Sequence, residues 1–165
     1  MVAYDASDWH ELFVAAAGAS AALTGLVFVA VSINVERILK FAGLPERALE
    51  TVLLLLSVVL VSFIGLIPGQ SQTVLGLELL VEGLVFGAAI AVLATRSLAK
   101  GSQPPPGWRI VRQLILVAGT VPLIVGGLSL LVDTGGGLYW TVAGIVFAIG
   151  GGVGSAWVLL VEILR

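Results

Sequence analysis

The stretch Leu12–Asn34, LFVAAAGASAALTGLVFVAVSIN, runs for twenty-three residues without a charged side chain or a histidine. A helix needs about 20 mostly apolar residues to cross the hydrocarbon core of a bilayer, so this stretch alone is long enough. Four more stretches of the same kind follow, at about 51–67, 74–94, 110–132 and 139–163. The breaks between them are firm. Pro68-Gly69 closes the second, and Asp133-Thr134-Gly135-Gly136-Gly137 separates the last two. Gly101–Gly107 (GSQPPPG) cannot continue a helix, because consecutive prolines remove donors and fix φ. A four-span alternative would require one of these helices to be re-entrant.

The expected fold class is therefore all-α: a polytopic transmembrane helix bundle of five spans, with residues 1–165 forming a single transmembrane domain. Lipid offers backbone groups no partner, which leaves helices and closed barrels. The apolar–polar alternation of a barrel strand is absent. Composition agrees: 59% of the 165 residues are hydrophobic and 11% charged, against about 45–50% and about a quarter in soluble domains. The acidic start (Asp5, Asp8, Glu11) and the length of the first apolar run argue against a cleavable signal peptide.

Charge sets an expected orientation. The eight basic residues fall in three places: Arg37, Lys40 and Arg47; Arg96, Lys100, Arg109 and Arg112; and Arg165. By the positive-inside rule the N-terminus is outside and the C-terminus cytoplasmic, as an odd number of spans requires. Asp5, Asp8, Glu11, Glu78, Glu82 and Asp133 then share the outer half, formally −6, without a Lys or Arg. Glu36, Glu46, Glu50 and Glu162 join the basic residues in an inner half of +4, where salt bridges are the plain reading. Such a field favours cations at the outer face and anionic headgroups at the inner one.

Glu78 and Glu82, in LGLELLVEGLVF, are the residues most suggestive of chemistry. Four apart, they project from one face of a helix. The residues from Gly83 to Leu98 span about 24 Å, short of the roughly 30 Å core, so Glu82 is expected below the outer interface. Intramembrane carboxylates of this kind mark ion or proton pathways. One or both are protonated, or they share a cation, or they bond to His10, Gln70, Gln72, Thr120 or Ser129 from other spans. The structural alternative is a neutral Glu fixing helix packing by a hydrogen bond. His10, beside Trp9, reads as an interfacial anchor or as a pH-responsive partner of Asp8, Glu11 or the Glu pair. Asp133 joins the same set of ion- or proton-binding candidates.

Small residues form a second pattern. Gly144, Ala148, Gly152 and Ala156 repeat every four residues, with Gly150, Gly151, Gly154 and Ser155 alongside. Ala17, Ala21 and Gly25 share a ridge on the first span, next to Gly18 and Ala22, and the third span has Gly83 and Gly87. Such ridges let helices approach closely, within one chain or between chains. The second span, TVLLLLSVVLVSFIGLI, is nearly all large and branched and is expected to be the most lipid-exposed helix. Ser32 and Asn34 close the first span, Pro45 and Glu46 open the second, and Pro122 is expected to kink the fourth. Trp9, Trp108, Trp140 and Trp157 fall near expected interfaces.

The segments GASAALTGLVFVAVSINVERIL, IPGQ and LGLELL resemble a family of small, uncharacterised bacterial (actinobacterial-type) multi-spanning inner-membrane proteins. The resemblance runs through the first three spans, implies a bacterial inner membrane, and carries over no catalytic residues.

Cysteine is absent and histidine occurs once, which excludes disulfides, thiolate sites and multi-histidine metal sites within one chain. No metal, cofactor or catalytic residue is expected, and Gly150–Gly154 lacks the GK[ST] of a phosphate loop. A net charge of −2 without a basic patch excludes nucleic-acid binding. No nucleophile–base pair is visible, so an enzyme is not expected. The remaining readings are a homo-oligomeric cation or proton channel or transporter using the Glu pair, and an accessory protein that binds another membrane protein through small-residue faces. The lipid bilayer is a partner in both.

Overall fold

The computed structural model describes residues 2–99 and 106–164. Lys100, Gly101 to Pro105 and Arg165 lie outside the described residues, as do the side chains of Trp108, Arg109 and Glu162. Five helices are long and apolar enough to cross a membrane, and no strand occurs among the described residues. The protein is a multi-pass membrane protein.

Two short 3-10 turns, Val2–Tyr4 and Ala6–Trp9, lead into α1 (His10–Ile33). The side chain of Asp5 caps the second turn, accepting from the Ser7 amide at 3.0 Å and its hydroxyl at 2.6 Å. A six-residue helix not foreseen from the sequence, α2 (Val35–Lys40), occupies part of the first connection. Gly43, left-handed at φ 78, admits α3 (Leu44–Gly65), with Pro45 in its first turn where a missing N–H costs nothing. The second span thus begins seven residues before the expected 51, and ends at Gly65 rather than 67. The third span, α4 (Gln72–Ala99), likewise extends beyond the expected 74–94 at both ends. α5 (Pro106–Val132) starts inside the GSQPPPG stretch and runs through Pro122. It stops where Asp133 (φ 55), Gly135, Gly136 and Gly137 all take positive φ. α6 (Tyr139–Leu164) completes the bundle.

α3, α4, α5 and α6 pack in chain order, and α3 closes the set by touching α6; α1 lies against the outer side of α3. The expectation that the second span is the most lipid-exposed helix is wrong. α3 is the most enclosed, with 61% of its most apolar stretch buried, against 17% for the first span. In a bilayer the burial of an apolar side chain follows shape rather than hydrophobicity, because lipid is as apolar as leucine. The large side chains of α3 fill hollows left by glycines on its neighbours. A Cβ placed on Gly119 of α5 would come within 2.8 Å of Leu54 Cδ1, and one on Gly152 of α6 within 2.6 Å of Leu55 Cδ2. At the other end of α3, the ring of Phe13 rests on Gly65.

Buried polar groups tie the helices together. Ser20 of α1 donates to the Leu55 carbonyl at 2.7 Å, and Ser97 of α4 to the Gly43 carbonyl at 3.2 Å. Near one end of the bundle Arg112 of α5 grips the buried Glu50 of α3 with two hydrogen bonds, one of 3.1 Å from Nε to Oε2. This is the salt bridge that the mixture of charges at that end implied.

Candidate functional site

The opposite end of the bundle carries the acidic residues. The 3-10 turns cross it as a strap. Leu138 donates its amide to the Ala3 carbonyl at 2.8 Å, and the Gly136 amide donates to the Tyr4 hydroxyl at 3.2 Å. Trp9 donates to the Val2 carbonyl at 2.6 Å and meets Tyr139 edge to face, ring centroids 4.8 Å apart. The strap therefore joins the start of α1 to the α5–α6 connection.

Beneath it lies a cleft of about 710 Å³ lined by Tyr4, Asp5, His10, Gln70, Gln72 and Asp133, with Gly65, Leu66 and Leu75 among its apolar wall. Residues distant in sequence meet here, drawn together because the N-terminal strap and the α3–α4 and α5–α6 connections lie at the same end. His10 is exposed at the first position of α1. Asp133 accepts from Gln72 Nε2 at 3.1 Å, and the same nitrogen donates to the Leu130 carbonyl at 2.7 Å. The Asp5 carboxyl, fully exposed, is held below its usual range by its hydrogen bonds to the Ser7 hydroxyl and amide.

Glu78 and Glu82 share a face of α4 but not an environment. Glu78 is half-buried, one turn and a half into the helix, and accepts a hydrogen bond from the Gln70 side chain. Glu82 is 7% exposed, and neither of its oxygens has a hydrogen-bond partner among the described residues. Ten residues separate it from Gln72, which is about 15 Å of helix. An ionised carboxylate there would be uncompensated, a state costly enough that buried charges are normally paired.

Of the five partners considered for the pair, Gln70 bonds Glu78 and Gln72 bonds Asp133. Thr120 donates to the Leu116 carbonyl of its own helix at 2.8 Å. Ser129 is taken up in the α5–α6 connection, donating to the Thr134 carbonyl and accepting from the Gly137 amide at 2.8 Å. Gln70 is thus the one assignment the sequence could suggest, since IPGQ ends just before α4. The strap itself escaped sequence reasoning, because short 3-10 turns carry no periodic signal.

The small-residue positions separate into two groups. Gly144, Ala148 and Gly152 face the bundle; a Cβ on Gly144 would approach Leu123 Cδ2 at 2.8 Å. Gly83 faces Ile124, and Gly87 faces Thr120. Ala156 is half-buried beside Trp157. On α1, Ala17 is buried, whereas Ala21 and Gly25 are exposed together with Gly18 and Ala22. Nothing lies within 4 Å of a Cβ on Gly18 or Gly25.

Among the described residues no three His, Asp or Glu side chains converge to hold a metal ion. No family model, curated protein or solved structure matches the chain.

Proposed function

We propose that this chain is a small inner-membrane proton or cation conductor of bacterial type, inserted with its N-terminus outside and working as a homo-oligomer. The observation that carries this reading is Glu82, buried about 15 Å into α4 without a hydrogen-bond partner among the described residues. A side chain kept in this position at such cost serves as a relay better than as a brace, because a brace would be bonded.

The acidic cleft supplies the entry. Asp5 and Asp133 give its mouth a negative potential that concentrates cations, and Gln70 of its lining bonds Glu78 behind it. The apolar wall at Leu75 and Gly65 favours a proton over a hydrated metal ion, since a proton can pass between a carboxyl group and transient water without opening a channel of ionic width. The exposed small-residue ridge of α1 supports self-association, because close helix approach in lipid uses such surfaces. The same ridge favours a second reading, an accessory protein that docks laterally on another membrane protein.

Reconstituted into liposomes with an internal pH indicator, the wild-type protein is expected to dissipate an imposed proton gradient. Glu82→Gln, which keeps shape and volume, should lower that rate to the level of empty liposomes, and Glu78→Gln should slow it only in part. Wild-type flux in Glu82→Gln would rule the reading out. Recovery in mild detergent of a stoichiometric foreign subunit, with no flux from the pure protein, would favour the accessory reading.

A further inference from the structure

On the far half of the molecule α1 and α6 diverge, leaving a groove of about 240 Å³ whose floor is α3. Its walls include Leu26, Val27, Val31, Ile38, Ala156 and Trp157, and its lining is entirely apolar. Leu26 and Trp157 are 68% and 69% exposed, so the groove opens sideways toward lipid. At its end stands α2, which turns Ile38 into the groove, 2% exposed, while Arg37 and Lys40 on either side of it are exposed. Arg37 and Lys40 occupy the last turn of this short helix and Glu36 its first.

The geometry points to a seat for one anionic phospholipid, with an acyl chain in the groove and its phosphodiester beside Lys40. Three features place a lipid there rather than a protein helix. The groove is a concave slot with the small side chains of Ala30 and Ala156 in its lining, not a flat face. It follows about 12 Å of α1, a helix long and apolar enough to span a membrane, between Leu23 and Val31. The positive charge of Lys40 lies two residues along α2 from Ile38, which lines the slot, and no acidic residue lines the slot itself. Attraction of an anionic headgroup to one basic residue near the surface gives a preference of about fivefold over a zwitterionic lipid. This inference does not depend on proton conduction.

Trp157 supplies the readout. The protein is placed in phosphatidylcholine vesicles containing a small fraction of brominated phosphatidylglycerol or brominated phosphatidylcholine. Quenching of the Trp157 emission is taken as the difference between wild type and Trp157→Phe. Phosphatidylglycerol should quench at about one-fifth of the mole fraction that phosphatidylcholine needs. Lys40→Gln should bring the two lipids close to parity, and Ala156→Leu, which fills the slot, should remove the excess quenching while the far-ultraviolet helical signal persists. Equal quenching by both lipids in the wild type would overturn the proposal, leaving only bulk lipid at the groove. Absence of quenching by either would overturn it in favour of a covering protein or a second copy. An undiminished preference in Lys40→Gln would overturn the headgroup assignment.

Discussion

Glycine position decides how closely the helices meet, and the consequences differ residue by residue. At the α4–α5 contact, a Cβ on Gly127 would stand 2.7 Å from the Gly76 carbonyl oxygen and 2.7 Å from the Leu80 amide nitrogen. Both neighbours are backbone, so neither can rotate away, and the helices themselves must part. Gly127→Ala is therefore expected to destabilise the bundle by about 1–3 kcal/mol, the usual range for overpacking. Gly18→Ala, in open space on α1, should leave it unchanged or slightly more stable, because alanine is the better helix former. Reversible unfolding in mixed micelles distinguishes the two; equal effects would show that the α4–α5 contact is looser than described. Glu82 presents the opposite case at the residue scale, a polar group that close packing surrounds without satisfying.

Elements show where sequence reading succeeds and where it stops. Five spans follow from the length of the apolar runs. The burial of α3 does not follow, because Leu54 in a core and Leu84 facing lipid are equally apolar. The signal was nevertheless present: Glu50, Thr51, Ser57 and Ser62 sit in that helix, all are buried, and polar groups in a span turn toward protein. The Glu50–Arg112 bridge is the firmest lateral tie between α3 and α5. Arg112→Ala leaves Glu50 buried and unpaired, which should cost about 3–5 kcal/mol. The double change Glu50→Gln with Arg112→Ala should recover most of that loss, since the stranded charge is gone. A double variant as unstable as Arg112→Ala alone would mean that Arg112 acts through packing instead. The strap and the acidic cleft were illegible for a different reason: they arise where the N-terminal turns meet the α3–α4 and α5–α6 connections, which no local pattern encodes.

The whole molecule is polar along its long axis. One end gathers Asp5 and Asp133 around a cleft roofed by the strap, with Glu78 bonded to Gln70 of its lining; the other gathers Arg37, Lys40, Arg47, Arg96 and Arg112 together with Glu36, Glu46 and Glu50. Between them Glu82 stands within the bundle, with Glu50 and Arg112 paired further along α3 and α5. On the proposed function, this asymmetry supplies the gradient of potential that a proton would follow. The proposed function makes Glu82 change its protonation state when conditions on the cleft side change. Infrared difference spectroscopy of the protein in vesicles, after a pH step on the cleft side, reads that change directly. A carboxyl band should appear in the wild-type difference spectrum and vanish in Glu82→Gln. Identical difference spectra for wild type and Glu82→Gln would contradict the assignment of Glu82 as the relay.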